Sequence, residues 1–514
     1  MRDKSVLQYR SAIISLILLV IAGCASVPTN LPKTESTAMT DTSQTKLAGA
    51  SAQWRAGNPT LNGFYPLTQG LDAFGARLLL MDHAEKSIDV QYFLMKPDAA
   101  GLVFAERILA AADRGVRVRF LIDDVFTTVK DNAFIMMDEH PNIEVRIFNP
   151  ISRKGIYALN YAGNFKLANR RMHNKAFIVD NALAIVGGRN IAEEYFQLDT
   201  TGEFIDFDML SAGPIVQQLS GEFDEYWNHK LAVPMSYFYD EEDKELEARI
   251  RENVTAEMKR SGDTIYGDAT STQLMQKLLK GEIEAYIAEA RLIADSPDKL
   301  LEKVSAEQKL VATAIAEAML LAEDEIIIFT PYFIPGKAGL ELINEVRARG
   351  VRVVLVTNSL ATNNHTSVYS AYSKYRKPVL EAGVELWEAR GDAAMTILPD
   401  GTRTQEHLTL HTKGIIIDRR YAFVGSLNLD PRSIDINTEM GVIIDSKPMS
   451  EGMARRALEG VPPMAYRVQL NDKGKVTWHA TIDGKEVVET KAPQTSAWLR
   501  FKAWFLKIAP EKQL

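Results

Sequence analysis

One pattern, written twice, constrains this chain more than any other feature. His173-Asn174-Lys175, Asp180 and Gly187-Gly188-Arg189-Asn190 fit H-x-K-x4-D-x6-G-[GS]-x-N. So do His411-Thr412-Lys413, Asp418 and Gly425-Ser426-Leu427-Asn428, with the two histidines offset by 238 residues. The surrounding sequence repeats at nearly the same distance: Tyr92-Phe93 recurs as Tyr332-Phe333 at an offset of 240, and Gly115-Val116-Arg117-Val118 as Gly350-Val351-Arg352-Val353 at 235. A near-constant offset over this length marks an internal duplication, and a period this long means two homologous domains, not a solenoid. Each copy reads as strand, helix, strand: Ser87 to Leu94, Ala100 to Arg114 and Val116 to Ile122 in the first; Glu325 to Phe333, Ala338 to Arg349 and Val351 to Val356 in the second. Such units feed an α/β sheet with a parallel component.

The residue types inside the motifs carry the chemistry. Histidine and lysine stand at i and i+2, so on a strand both project from one face. The apolar runs that follow, 176–179 and 414–417, look like buried strand. A two-fold arrangement of the halves would bring two imidazoles and two ammoniums to one cleft. With the Asn190 and Asn428 amides, the Ser426 hydroxyl and backbone donors, this is a site for a phosphate. No carboxylate cluster lies beside either motif, so no metal is expected, and the lysines would supply the stabilisation a metal gives elsewhere. Two histidines around one phosphorus divide the labour. One attacks to form a phosphohistidine; the other protonates the leaving alkoxide and then deprotonates the incoming hydroxyl. Asp206, and Glu439 some 233 residues later, are the candidates for fixing the histidine tautomers.

Composition sets the frame. The chain has 514 residues, 46% hydrophobic and 25% charged, as in ordinary globular protein. Its formal charge of -8 argues against a nucleic-acid partner. The single cysteine excludes an internal disulfide. Arg2, Lys4 and Arg10 precede an apolar run, Ser11 to Ala22, that is shorter than the roughly 20 residues a bilayer span needs. It reads as a signal peptide over residues 1–23. Its end, Ile21-Ala22-Gly23-Cys24, resembles a bacterial lipobox, with Cys24 the lipidated residue and a membrane surface the partner. Loss of residues 1–23 removes three basic and one acidic residue and takes the charge to -10. Ala25, in place of an aspartate, leans towards the outer membrane, facing the periplasm.

The expected organisation is a flexible tether over 24–58, a first lobe over 59–235, a charged and helical connector over 236–290, a second lobe over 291–490, and a basic, aromatic C-terminal helix over 491–514. The run Asp240-Glu241-Glu242-Asp243 reads as solvated connector, and 268–290 as helical. Trp498 to Lys507 mixes aromatics with cations, which suits either an interfacial membrane helix or a terminal helix docked on the core. Arg170 and Arg171 suit either a lipid phosphate or a solvated turn. His365 and His407 read as loop histidines.

The duplicated motif resembles the HKD signature of the phospholipase D superfamily. Gly425 to Ser433 with Asn437-Thr438-Glu439 is similar to its bacterial cardiolipin synthase branch. Asp89-Val90-Gln91-Tyr92, Arg170 to Lys175 and Gly187 to Ile191 are most like the C type of those phosphatidyltransferases. The resemblance runs from about residue 62 to near the C-terminus. It implies two phospholipase D-like α/β lobes, each a mixed sheet flanked by helices, with one active site at their interface. It implies no cofactor, His173 as nucleophile and His411 as general acid and base, with Lys175, Asp180, Lys413 and Asp418 completing the catalytic motifs. The implied activity is metal-independent synthesis of cardiolipin from phosphatidylglycerol and a second phospholipid. Hydrolysis to phosphatidic acid, a nuclease, and a non-catalytic lipid-binding lipoprotein are the alternatives. Gly188 departs from the pattern, since many relatives have serine there.

Overall fold

The computed structural model describes residues 27–28, 31–55, 57–125, 131–154, 157–198, 203–239, 252, 264–301, 305, 308–393, 395–397, 403–405, 408–508 and 510–511. Cys24, the Asp240–Asp243 run and His407 lie outside them.

Both lobes form around one continuous, mixed 18-stranded sheet. In the first lobe the parallel strands Ser87–Tyr92, Arg117–Asp123 and Ile143–Phe148 lie side by side. Ser87–Tyr92 then pairs antiparallel with Ala176–Val179, which continues through Leu183–Gly187 and Asp208–Ala212 to Asn62–Leu67. The second lobe repeats this order. Glu325–Phe329, Arg352–Asn358 and Glu385–Ala389 are parallel, and Glu325–Phe329 leads antiparallel through Gly414–Ile417 and Tyr421–Gly425 to Met440–Asp445. A final meander, Ala465–Leu470, Val476–Ile482 and Lys485–Glu489, extends this lobe's outer edge.

The seam is a single strand. Tyr286–Ala294 pairs with Asn62–Phe64 through its first residues and with Met440–Asp445 through its later ones. The helical reading of 268–290 therefore holds as far as Lys280, where 264–270 and Gln273–Lys280 are helical, and fails beyond it, where the seam strand begins. The strand burial is continuous, not alternating, in Ser87–Tyr92, Ala176–Val179 and Leu183–Gly187, because helices cover both sheet faces. Ala99–Asp113, capped by Asp98, packs on one face and Pro214–Asn228 on the other.

The tether expectation needs correction. Residues 31–54 are strapped onto the first lobe. The buried guanidinium of Arg146 donates to Thr34 O at 2.6 Å, and Arg119 to Ser36 O at 2.9 Å. Asn228 and Asp224 accept from Ser36 N and Ala38 N. Lys46–Trp54 follows as a helix capped by Thr45. The strap is fixed mainly by backbone groups that satisfy buried arginines, so no apolar periodicity announces it.

Candidate active site

The two motif strands end at the interface between the lobes, and each lobe completes the other. His173 N donates to Thr438 O and Thr438 N to Arg171 O, both at 3.0 Å. In the reverse direction, Glu203–Ile205 pairs in parallel with Leu408–Leu410, and His411 N donates to Ile205 O at 2.8 Å. These crossed pairings put the residue after each partner strand beside the other lobe's imidazole. Glu439 lies 2.8 Å from His173 Nδ1, and Asp206 lies 2.6 Å from His411 Nδ1. Both histidines keep one edge towards the cleft, at 7% and 8% exposure.

The lysines converge with them. Lys175 Nζ donates to His173 O at 2.7 Å and stands 5.3 Å from the Phe93 ring centroid. Lys413 Nζ lies 2.8 Å from His411 Nδ1. Burial lowers the Lys175 ammonium to about 7 and that of Lys413 to about 8, against the pull of Glu439 and Asp206. Burial also lowers His173 to about 4, against the opposing pull of Glu439 and with Lys175 adding to the lowering. Burial and Lys413 lower His411 to about 3. Burial pushes Asp206 and Glu439 up, but the facing lysines and histidines overcome it and hold both carboxylates below their ordinary range. The free site therefore holds two neutral imidazoles, each with Nδ1–H directed at an ionised carboxylate; Nε2 of His173 is available to the cleft, and Nε2 of His411 lies 3.2 Å from Lys413 Nζ.

Aromatic rings wall the imidazoles. Phe204 stacks on His411 at 5.1 Å and 11°, Tyr195 meets its edge at 5.1 Å, and Phe93 meets His173 at 4.8 Å. Of these, the sequence motif pointed to none. Two of them had a signal in adjacency to the repeat: Phe93 directly follows the strand Ser87–Tyr92, and Phe204 stands two residues before Asp206. The amide oxygens of Asn190 and Asn428 are buried without a hydrogen-bond partner among the described residues. Unfilled acceptor capacity at equivalent positions of both motifs suits a bound hydrogen-bond donor such as a hydroxyl.

Several expected site residues stand elsewhere. Asp180 and Asp418 do not reach the cleft. Each turns back at the far end of its strand: Asp180 accepts from Glu85, Lys86 and Ser87 N, and Asp418 from Glu323, Asp324 and Glu325 N. They fasten the motif strand to the neighbouring repeat strand. The Ser426 hydroxyl, expected at the phosphate, donates to Glu439 Oε2 at 2.5 Å and accepts from Met440 N. Gly188 has no room for that hydroxyl, because a Cβ there would stand 2.2 Å from Asp206 Oδ1. Arg171 is fully buried and pairs with Asp123 at 3.1 Å, and Arg170 donates to Lys299 O, so the arginine pair is a structural tie between segments. His365 stands at the N-terminal boundary of the Thr366–Glu381 helix without a capping side-chain hydrogen bond and packs against Tyr332. Among the described residues no group of three or more His, Cys, Asp or Glu side chains could hold a metal ion.

A duplicated α/β lobe with two carboxylate-backed histidines and two lysines at the shared interface defines an enzyme of the phospholipase D superfamily. The family model described as "Cardiolipin synthase, PLD-like domain" matches residues 78–227 and 315–458, more than half of the chain. Cardiolipin synthase C of Escherichia coli strain K12 is 34% identical over 471 residues, covering 91% of this chain and 99% of that protein. A cardiolipin synthase of Oceanobacillus iheyensis is 27% identical over 389 residues, covering 75% of this chain and 66% of that protein. The crystal structure of phosphatidylserine synthase from Haemophilus influenzae Rd KW20 shares the fold, with a TM-score of 0.53, 14% identity, and coverage of 82% of this chain and 91% of that one. The chain belongs to the phospholipase D-like cardiolipin synthase family.

Proposed function

We propose that the chain is a phosphatidyltransferase that makes cardiolipin from phosphatidylglycerol and a second phospholipid. The observation that carries this reading is the crossed pair of histidine–carboxylate contacts, within a family of cardiolipin synthases. His173 Nε2 attacks the donor phosphorus, and the bond from phosphorus to the headgroup oxygen breaks. The departing alkoxide takes a proton from His411 Nε2. The phosphodiester's own negative charge, set against His411, raises its proton affinity from the low value of the free site. Lys175 and Lys413 hold the phosphoryl oxygens, with the Nδ2–H groups of Asn190 and Asn428 as further donors. The glycerol hydroxyl of phosphatidylglycerol then gives its proton to His411 and attacks phosphorus, and the bond to His173 breaks. One phosphodiester is exchanged for another, so the atoms balance without a redox or metal partner. Asp206 and Glu439 fix the tautomers and stabilise the transient imidazolium.

We further propose lipidation at Cys24 as the attachment to the envelope, tested by whether Cys24→Ser releases the protein from membranes. The transferase test is a product analysis by mass spectrometry. The protein is mixed with phosphatidylglycerol, with and without phosphatidylethanolamine, in chelator-containing buffer beside His173→Ala. Cardiolipin that depends on His173, and a phosphatidyl adduct on His173 in His411→Ala, are the expected results. Phosphatidic acid as the sole product would make the chain a hydrolase. An adduct on His411 in His173→Ala would reverse the two roles.

A further inference from the structure

The C-terminal helix presents its bulk to the outside. Ala497–Phe505, capped by Ser496 and continued by Leu506–Ile508, rests on the Thr366–Glu381 helix. It does so through a narrow edge: Ala503 is buried in the second-lobe core and Leu499 half-buried against it. Lys374 and Tyr375 of the supporting helix both bond Glu511, at 2.7 and 2.6 Å, and pin the far end. Everything large points the other way. Trp498 is 70% exposed, Phe501 51%, Trp504 64%, Phe505 55% and Ile508 78%. The rings form one ladder, with Trp498 stacked on Phe501 at 5.6 Å and Phe501 against Trp504 at 5.9 Å.

A helix docked merely to close the core would bury this arc, since aromatic side chains dominate the gain from burial. At 3.6 residues per turn, Trp498, Phe501, Trp504 and Phe505 span an arc of about 120°. Arg500 flanks one side of it and Lys502 the other. Residues 491–514 carry five basic residues and one acidic, in a chain whose net charge is -8. Aromatic rings between cations are the composition of a helix lying in the plane of a bilayer interface. The rings enter the boundary between headgroups and acyl chains, and the cations meet lipid phosphates.

We propose that Ala497–Ile508 is an interfacial anchor that seats the second lobe on an anionic phospholipid surface. Lipid contact by this helix does not depend on the transferase reading; that reading supplies only its use. The supporting helix begins at His365, beside Tyr332, and Tyr332 lies close enough to Tyr195 to influence it electrostatically; Tyr195 is the ring against His411. Tyr375 is ten residues beyond His365, about 15 Å at 1.5 Å per residue. The anchor thus fixes how far the cleft stands from the lipid.

The test is tryptophan quenching of the full chain on vesicles of brominated phosphatidylglycerol and phosphatidylcholine. The chain has six tryptophans. Trp227 and Trp478 are buried and Trp54 and Trp387 half-buried, which leaves Trp498 and Trp504 as the pair open to lipid. Quenching should grow with the phosphatidylglycerol fraction and disappear in Trp498→Phe/Trp504→Phe, which keeps the rings and the fold. Quenching that survives in the double variant, is absent from the parent, or ignores the phosphatidylglycerol fraction overturns the proposal. Since none of these readings requires turnover, an inactive preparation does not blur the result.

Discussion

Glu439, from the second lobe, holds Nδ1 of His173, from the first, at 2.8 Å. Asp206 returns the contact to His411 at 2.6 Å. Neither lobe contains a complete histidine–carboxylate pair, so the site exists only when the lobes are joined. Glu439→Gln and Asp206→Asn preserve shape but let the amide bond either tautomer of the imidazole. Each should lower kcat by about 10²-fold or more, by analogy with other histidine–carboxylate pairs. Steady-state kinetics beside a melting curve check this. A full-activity Glu439→Gln protein would remove the carboxylate from the mechanism.

The sequence made the repeat, the sheet strands and both histidine–lysine pairs legible, because these rest on local periodicity and fixed spacing. Asp206 and Glu439 could be named as histidine partners, but which histidine each serves could not. That depends on Ile205 and Thr438 bonding across the interface, a contact between residues more than 200 positions apart. The roles of Asp180 and Ser426 were misread for a related reason. A motif records which residues travel together, and it does not separate those that face the cleft from those that hold the strands in place. The strap over residues 31–54 left no signal, since it is held mainly by backbone carbonyls and N–H groups that any sequence would offer.

Gly188 and Asp206 form a size-matched pair. In the second motif Ser426 reaches a glutamate; in the first a shorter aspartate sits against the backbone, and a Cβ at 188 would fall 2.2 Å from its Oδ1. Gly188→Ser should therefore displace Asp206 from His411 and cost activity by at least tenfold. The clash is with a carboxylate at the site, so kcat should fall more than stability does. Wild-type kcat in Gly188→Ser would show that Asp206 moves aside without effect.

Asp180 and Asp418 should prove structural. Asp180 stands seven residues down an extended run from His173, about 20 Å away. It accepts three backbone N–H groups. Asp180→Ala leaves three backbone donors without their acceptor, of which Ser87 N is buried, at a cost of about 1–3 kcal/mol. The melting temperature should drop while kcat per folded molecule stays within a few-fold of the parent. Loss of kcat with no change in melting would contradict this placement.

Behind the first motif, Asn174 donates to Glu222 at 2.6 Å and accepts from Thr438 at 3.0 Å. Burial raises the Glu222 carboxyl to about 8. A carboxyl raised on folding binds its proton more tightly in the native state. Its contribution is present below the ordinary glutamate range and is lost as pH climbs towards 8. The slope is at most about 1.4 kcal/mol per pH unit. Glu222→Gln keeps the hydrogen bond to Asn174 and removes the titration. Thermal unfolding between pH 5 and 9 should show the parent losing stability with rising pH relative to Glu222→Gln. Parallel curves would place the proton elsewhere.

The lysines give the cleft an affinity for anions that depends on pH. With Lys175 lowered to about 7 and Lys413 to about 8, both are largely protonated near pH 6 and largely neutral by pH 9. An anion binds the protonated forms, so its affinity must fall as pH rises through these values. Sulfate is a suitable probe because its own charge is fixed across the range. Its inhibition constant should rise by up to about tenfold per pH unit for each lysine, from pH 7 for Lys175 and from pH 8 for Lys413. Arginine stays charged throughout, so Lys175→Arg, where it retains activity, should remove the lower step and leave the one belonging to Lys413. An inhibition constant that stays flat from pH 6 to 9 in the parent would mean that neither lysine faces the bound anion, and the phosphate would then have to be held by Asn190, Asn428 and the histidines alone.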